Sequence, residues 1–180
     1  MRAGTALGVE RASGLFLSGG ILYQASGWVG MTLEASVGAL RGRTEGAIDR
    51  DAAQVSLSAG IPATAWLTVD GGVQWRVYST VFAQQRWSVL RVGAEARLPF
   101  LGGSAAGVAR LHYLPSVSVR GLGPPDLALA AAAGMEYRIG PATLDVFYDL
   151  ERVDFPERSG VRRLEELSSL SVRLGLRLGR

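Results

Sequence analysis

The chain has 180 residues, which predicts a single domain spanning residues 1–180. Hydrophobic residues make up 48% and charged residues 19% of the chain, whereas a soluble domain carries about 25% charged residues. Cysteine is absent, which excludes disulfide bonds and thiolate metal sites. The net charge of +3 comes from dispersed arginines and not from a dense basic patch, so nucleic acid is not an expected partner.

Turn-forming residues recur along the chain, and the segments between them alternate between apolar and polar positions, as β-strands do. The segment ALAAAAGMEY also fits a helix, but its alternation favours a strand. The sequence therefore predicts an all-β fold: a closed antiparallel up-and-down transmembrane β-barrel of about ten strands, with eight as the alternative count. In chain order the predicted strands cover residues 2–10, 14–24, 28–40, 52–61, 64–78, 86–98, 104–119, 126–139, 142–152 and 166–179.

The predicted connections differ between the two ends of the strands. At one end they are tight and mostly uncharged, as in QASG, IPAT, PFLGGS and IGPAT. At the other end most are longer or more charged, and DFPERSGVRRLEE is the extreme case. Short turns at one rim and longer polar loops at the other are typical of bacterial outer-membrane barrels.

The N-terminal region predicts neither a signal peptide nor a membrane-spanning helix. MRAGTALGVE lacks the uninterrupted apolar core of a signal peptide. Residues 12–33 carry no charge, but their glycines at positions 14, 19, 20, 27 and 30 indicate two strands and a turn instead of a helical span.

The two faces of the predicted strands differ in chemistry. In LSVRLGLRLG every second residue is Leu or Val, and Arg173 and Arg177 lie between them. Strands 64–78, 86–98 and 142–152 separate apolar from charged side chains in the same way, and the charged faces are rich in Gly and Ser, which suits a crowded interior. Charges buried there have to pair, and arginine binds carboxylates bidentately. The apolar faces then contact lipid, where only a closed barrel satisfies the backbone.

The candidate site is a network of paired charges in the lumen, with no catalytic residue, metal or cofactor expected. His112 has the strand parity of Arg110, Ser116 and Ser118. His112 and Ser116 lie about 13 Å apart along a strand, which is too far for a proton relay, so His112 is interpreted as a hydrogen-bonding group of the lumen. The predicted network consists of Glu34, Asp70, Arg76, Arg91, Glu95, Arg97, Arg110, His112, Glu136, Arg138, Asp145, Asp149, Glu151, Arg173 and Arg177.

With these alternating strands, short turns and a closing strand that carries Leu174, Gly175, Leu176 and Leu178, the whole chain resembles the small outer-membrane β-barrel proteins of the OmpA/OmpX-like class. The resemblance implies a location in the bacterial outer membrane and the lipid bilayer as a partner. It also implies insertion by the barrel-assembly machinery and a monomeric state.

Three classes of function fit this sequence. The first is an integral outer-membrane barrel that acts as a structural or surface protein, or as a narrow passive pore of the porin-like kind. The second is a soluble lipocalin-like barrel that binds a small apolar ligand. The third is an outer-membrane lipid-modifying enzyme. The first is the prediction, because the charged faces look like an interior and not like a solvated surface.

Overall fold

The computed structural model of the protein describes residues 2–5, 8–25, 29–44, 47–120, 122–140, 142–158 and 161–176. These residues form strands and one short 3₁₀ turn, Leu101–Gly103. The strands are β1 (Arg2–Thr5), β2 (Gly8–Ala25), β3 (Val29–Gly42), β4 (Arg50–Pro62), β5 (Leu67–Ser79), β6 (Gln84–Phe100), β7 (Ala105–Val119), β8 (Leu127–Ile139), β9 (Ala142–Arg158) and β10 (Val161–Leu176).

Each long strand pairs antiparallel with its neighbours in the chain, from β2 through to β10. The prediction of an all-β, antiparallel, up-and-down barrel is confirmed. Nine strands are long, and the four-residue β1 lies between β2 and β10 and pairs with both. We call the end with connections 43–49, 80–83 and 120–126 the loop end, and the end with connections 63–66 and 101–104 the turn end.

The predicted first strand over residues 2–10 is wrong. β1 ends at Thr5, and β2 begins at Gly8 and continues through residues 11–13, which the prediction placed between two strands. Ala12 pairs with Gly42 and Gly14 pairs with Leu40. The backbone hydrogen bonds of this ladder outweigh the weak preference of Ser and Gly for turns.

The expected long loop DFPERSGVRRLEE is mostly strand. β9 extends to Arg158 and β10 begins at Val161, with Asp154 paired to Leu164 and Glu165 paired to Val153. Phe155 and Glu165 are both buried, so the hairpin is anchored from inside the barrel. The sequence analysis assigned this segment to a loop because it is rich in charged residues, and so it missed these inward-facing positions.

A bulge in β7 reverses its side-chain alternation. Leu90 of β6 pairs with Ser116, but Val92 pairs with Tyr113, so β7 contributes one extra residue at this point. Beyond the bulge Val117 is buried, and Ser116 and Ser118 are exposed. The predicted shared face of His112, Ser116 and Ser118 is therefore wrong. Pro115 lies inside the bulge, where its lack of an N–H is tolerated.

The barrel is apolar outside and charged inside over most of its height. Leu15, Leu170 and Leu174 are 90%, 74% and 84% exposed, whereas Arg76 and His112 are 5% and 6% exposed. This polarity is the reverse of that of a barrel that is solvated on its outer surface.

The interior becomes apolar at the loop end. Trp87 packs edge-on against Tyr78 and Phe155, with ring centroids 6.3 and 6.1 Å apart. We call this buried cluster the apolar plug, and it was not predicted from the sequence. Its members are Ala12, Leu40, Ala52, Tyr78, Trp87, Val89, Leu114, Val117, Val119, Ala128, Val153 and Phe155.

We expect Trp87→Ala to lower the free energy of unfolding by about 3–5 kcal/mol, because the substitution leaves a cavity in the apolar plug. Equilibrium urea denaturation followed by circular dichroism measures the loss. Phe82→Ala is the matched control, since Phe82 is exposed in connection 80–83 and its removal changes stability by about 0.5 kcal/mol or less. Equal losses for the two variants contradict a plug that stabilises the barrel.

Candidate functional site

One ion pair crosses the lumen below the apolar plug. Arg76 lies on β5 and Glu151 on β9, four strands away around the wall. The two guanidinium Nη atoms of Arg76 donate to the two carboxylate oxygens of Glu151, each at 2.8 Å. The Nε of Arg76 donates to Gln54 Oε1 at 2.8 Å, and Nη1 donates to Tyr78 Oη at 3.3 Å. All three guanidinium nitrogens thus donate to an acceptor, as a buried arginine requires.

Two further polar groups join this level of the lumen. Gln74 donates from Nε2 to Gln54 Oε1 at 3.2 Å, so the glutamines extend the hydrogen bonds around Arg76. Glu165 is buried and accepts from Arg163 Nε at 2.7 Å. The sequence interpretation missed Glu165, which it assigned to a loop. Glu165 and Arg173 are an even number of residues apart on β10, so the alternation of the strand would have predicted that Glu165 also points inward.

The middle of the lumen contains His112, Asp70, Arg110 and Glu95. His112 Nε2 lies 2.7 Å from Asp70 Oδ1, on a strand two positions away in the wall. Arg110 donates from Nε to Glu95 Oε2 at 2.7 Å. Its guanidinium also lies 4.3 Å from the ring centroid of Phe147, a favourable cation–π contact. Each of these four side chains therefore has a hydrogen-bond partner in the lumen.

Glycines make room for the large lumen side chains. Gly93 pairs with His112 across the ladder, and a Cβ on Gly93 would lie 2.1 Å from the carbonyl oxygen of Leu111. Gly134 pairs with Phe147, and a Cβ there would lie 2.6 Å from the Phe147 ring. Gly93 and Gly134 therefore have a packing role, because each leaves room for a bulky neighbour on the next strand.

At the turn end of the lumen two arginines share one carboxylate. Arg138 donates from Nε to Glu136 Oε1 at 2.8 Å, and Arg97 forms an ion pair with the same oxygen. Asp145 lies beside Glu136 in the ladder. Among the described residues, Asp145 Oδ1 has no hydrogen-bond partner.

The other members of the predicted charge network have longer contacts, or a polar atom without a hydrogen-bond partner among the described residues. Arg173 pairs with Glu34 at 3.3 Å, and Asp149 Oδ2 accepts from Ser171 at 3.4 Å. Arg91 has a buried Nε without a hydrogen-bond partner in the described part of the chain. Arg177 lies outside the described residues.

Two small cavities lie between side chains of the described lumen. The cavity at the turn end has a volume of about 40 Å³ and is lined by Arg97, Glu136 and Arg138. The cavity between Arg76, Trp87 and Glu165 has a volume of about 10 Å³. Spaces of this size hold from none to a few water molecules, so neither is a solute-sized passage or a ligand pocket.

No nucleophile lies beside His112 on its own strand. Ser116 and Ser118, the serines that shared its predicted face, are exposed on the outer side of β7 beyond the bulge. His112 instead bonds to Asp70. Over the described ranges, no three His, Asp or Glu side chains are grouped closely enough to bind a metal ion.

The exposed connection 43–49 is held by Asp49. Its carboxylate accepts from the backbone N–H of Gly42 at 2.9 Å and from Arg41 Nη1 at 3.0 Å. The Gly42 hydrogen bond, helped by the Arg41 side chain, holds the pKa of Asp49 below its usual range. This is a solvated ion pair at the rim, and it shapes the loop without burying charge.

Breaking the buried ion pair should cost far more than removing it. We expect Glu151→Leu, and likewise Arg76→Met, to lower the free energy of unfolding by about 3–5 kcal/mol, because the remaining partner stays buried without an opposite charge. The double variant Arg76→Met with Glu151→Leu should recover most of that loss, since no unpaired charge remains. Urea denaturation of the four proteins in a double-mutant cycle measures both effects.

The control for the ion-pair cycle is Arg41→Gln, which removes an exposed partner of Asp49 and should change stability little. If the double variant of Arg76 and Glu151 is as unstable as the sum of its single variants, the two side chains do not act as a pair.

Gly93→Ala should destabilise the barrel by about 1–3 kcal/mol, because the added methyl group overlaps a backbone oxygen and the His112 ring. Gly107→Ala is the matched control on the next strand, where a Cβ has no atom within 4 Å. Thermal unfolding of both variants tests the difference. Equal unfolding temperatures for the two variants would contradict the packing role of Gly93.

Within the described residues there is no helix with the length and apolarity needed to cross a membrane. The chain matches no protein-family model and no curated protein. Its function is therefore inferred from the polarity and the packing of the barrel.

Proposed function

We propose that the chain is an integral outer-membrane β-barrel whose lumen is closed by its own side chains, and that it acts as a structural or surface protein. The observation that carries this proposal is the exposed apolar belt around a charged interior. A belt of this kind is stable in hydrocarbon and costly in water, because exposing apolar area costs about 25 cal/mol per Å². Members of the belt are Leu15, Leu17, Leu33, Val37, Leu57, Val69, Leu90, Val92, Leu111, Met135, Val146, Leu170, Val172 and Leu174.

The height of the belt fits a bilayer. On β6 the outward positions run from Leu90 to Leu98, which is about 26 Å of strand and roughly 20 Å of height at a tilt of about 40°. The apolar band of outer-membrane barrels is about 25 Å tall. Exposed Trp66 and Tyr137 near the turn end suit the interface, where aromatic side chains are favoured.

The filled lumen favours a structural or surface role over a pore. The Arg76–Glu151 pair crosses the barrel, and the apolar plug lies above it at the loop end. A solute that enters from either rim meets packed side chains. In this proposal the lipid bilayer is the partner, a single copy is sufficient, and the barrel-assembly machinery inserts the chain.

The same contacts disfavour the two alternatives. A soluble lipocalin-like barrel needs an apolar cavity inside and a polar surface outside, but here the apolar part of the interior is packed by its own residues. A lipid-modifying enzyme needs an activated nucleophile, but Ser116 and Ser118 lie on the opposite side of the wall from His112.

We expect the unheated protein to migrate differently from the boiled protein on an SDS gel, because a closed membrane barrel keeps its fold in detergent until it is heated. Flotation with lipid vesicles after refolding is the companion measurement. Identical migration, together with a protein that stays monodisperse in water without detergent, would rule out the membrane proposal.

Planar-bilayer recordings test the closed lumen separately. We expect no current steps above background from the reconstituted barrel, because the Arg76–Glu151 pair and the apolar plug block the axis. Regular single-channel steps from a preparation purified to a single band would contradict the closed lumen. The protein would then be a narrow pore.

A further inference from the structure

The outer wall of the barrel changes from apolar to polar at the loop end of β6 and β7. On β6 the outward positions pass from Leu90, which belongs to the apolar belt, to Ser88 and Arg86. On β7 the outward positions beyond the bulge include Ser118, and Arg120 follows directly after the strand. These four polar side chains are exposed, so the wall above the belt presents hydroxyl and guanidinium groups.

Arg86 and Arg120 lie directly opposite each other on the outer face. Trp87 pairs with Val119 at the end of the ladder, and the N–H of Arg120 donates to the carbonyl oxygen of Arg86 at 3.3 Å. Opposite side chains on antiparallel strands have Cβ atoms about 4.5–5.5 Å apart, and like charges in such positions are destabilising. On its other side Arg86 pairs with Val77, which offers no charge. The fold therefore places two neighbouring positive charges on this part of the wall.

Arg86 and Arg120 differ from Arg152 in their partners. Arg152 of β9 pairs across the ladder with Glu166 of β10, so opposite charges face each other there. Within the described ranges, no ion pair includes Arg86 or Arg120. Since no described carboxylate balances these two arginines, they are available to a negatively charged ligand.

The hydrogen-bond donors of this surface lie side by side. Arg86 donates from Nε and Nη2 to Gln84 Oε1 at 3.0 and 2.9 Å, which fixes the orientation of its guanidinium. Among the described residues, Nη1 of Arg86 has no acceptor. Ser88 and Ser118 pair with each other two positions nearer the belt, so two hydroxyl groups lie below the two guanidinium groups. We call Arg86, Arg120, Ser88 and Ser118 the cationic patch.

The chemistry of the cationic patch matches a phosphate group. A phosphate carries negative charge and several acceptor oxygens, and guanidinium groups bind it through charge-assisted hydrogen bonds. The hydroxyl groups of Ser88 and Ser118 are donors for the same oxygens. A phosphate bound between Arg86 and Arg120 also offsets the repulsion between them.

The position of the patch in the wall favours a lipid phosphate over a soluble one, and this step rests on the proposed membrane location. Trp75 points outward, is 49% exposed and pairs with Ser88. Tryptophan side chains are enriched at the membrane–water interface, where lipid headgroups lie. Leu90 and Val92 continue the outer face of β6 into the belt. Acyl chains attached to a phosphate at the patch would lie along these two residues.

We propose that the cationic patch binds the phosphate group of an anionic membrane lipid. Arg86 and Arg120 both bind the phosphate oxygens, and Ser88 and Ser118 donate hydrogen bonds to them. The acyl chains lie against Leu90. The site is on the outer wall at the loop end, separate from the paired charges of the lumen.

Native mass spectrometry in non-ionic detergent micelles tests the site, with phosphatidic acid as the probe. We expect the unmodified barrel to bind it at least about tenfold more tightly than phosphatidylcholine with the same acyl chains, because choline neutralises the phosphate charge. The double variant Arg86→Gln with Arg120→Gln should weaken the binding of phosphatidic acid about thirtyfold, since both arginines contribute to the affinity. Equal affinity for the two lipids overturns the proposal.

The matched control is Arg41→Gln with Arg152→Gln, which removes the same number of charges from two arginines that face carboxylates. The measurement is made at about 0.1 M salt, where charges more than about 10 Å apart are largely screened. We expect the control to bind phosphatidic acid as the unmodified chain does. Equal weakening in the two double variants overturns the site, because net charge alone would then explain the binding.

Urea denaturation in lipid-free micelles separates ligand binding from a structural role of the arginines. Arg86→Gln with Arg120→Gln should unfold at the same or a higher urea concentration than the unmodified chain, because the variant loses a repulsive pair. A lower unfolding midpoint means that the two arginines stabilise the barrel itself, and it overturns the proposal.

Competition with inorganic phosphate identifies the source of the ligand. Inorganic phosphate at the concentration of the lipid should leave phosphatidic acid bound, and displacement overturns the lipid assignment. Binding of phosphatidic acid in micelles together with failed vesicle flotation refutes only the membrane location. Flotation without a preference for phosphatidic acid refutes only the lipid site.

Discussion

Ionised side chains removed from water are stable only when they are paired and hydrogen-bonded, and this constraint governs the interior of the barrel. The bidentate contact between Arg76 and Glu151 meets it across the full width of the lumen. Gln54 and Tyr78 accept two further hydrogen bonds from the guanidinium. The consequence is geometric as well as energetic, because a pair that spans the lumen fixes the distance between β5 and β9.

Packing reinforces the electrostatics. Small residues on one strand lie opposite bulky residues on the next, as Gly93 does with His112 and Gly134 with Phe147. Arg110 uses the Phe147 ring as a second contact beside Glu95. At the loop end the pattern changes, and Trp87 and Phe155 replace charged groups with an apolar cluster. The described lumen thus contains two kinds of contact: paired charges along most of its height and an aromatic cluster at one rim.

Much of the wall could be predicted from the sequence, because a period of two in apolar residues specifies both the strand and its inward face. The strand predictions were wrong where an extra residue interrupts the period of two, and where charged residues within a strand were taken for a loop. The extra residue near Pro115 inverts the faces of β7, and one inserted residue leaves no signature in composition. Asp154, Glu157 and Arg158 were assigned to a loop because they are charged, although the strand continues through them. The apolar plug was missed because Trp87 and Val153 lie on strand faces that carry charges farther along.

Which cation meets which carboxylate depends on the curvature of the barrel, which the sequence does not specify: Arg76 and Glu151 are far apart in the chain.

The way β1 joins the sheet also bears on how the chain folds. Most ladders link strands that are neighbours in sequence, and such hairpins close quickly because little chain entropy is lost. Among the described ladders, the one between β1 and β10 brings together residues 2–4 and 164–166, close to opposite ends of the chain. It carries the largest loop-closure cost with only three residue pairs to offset it. The curved sheet from β2 to β10 is thus expected to form first, and the meeting of the two ends is the final, most reversible step.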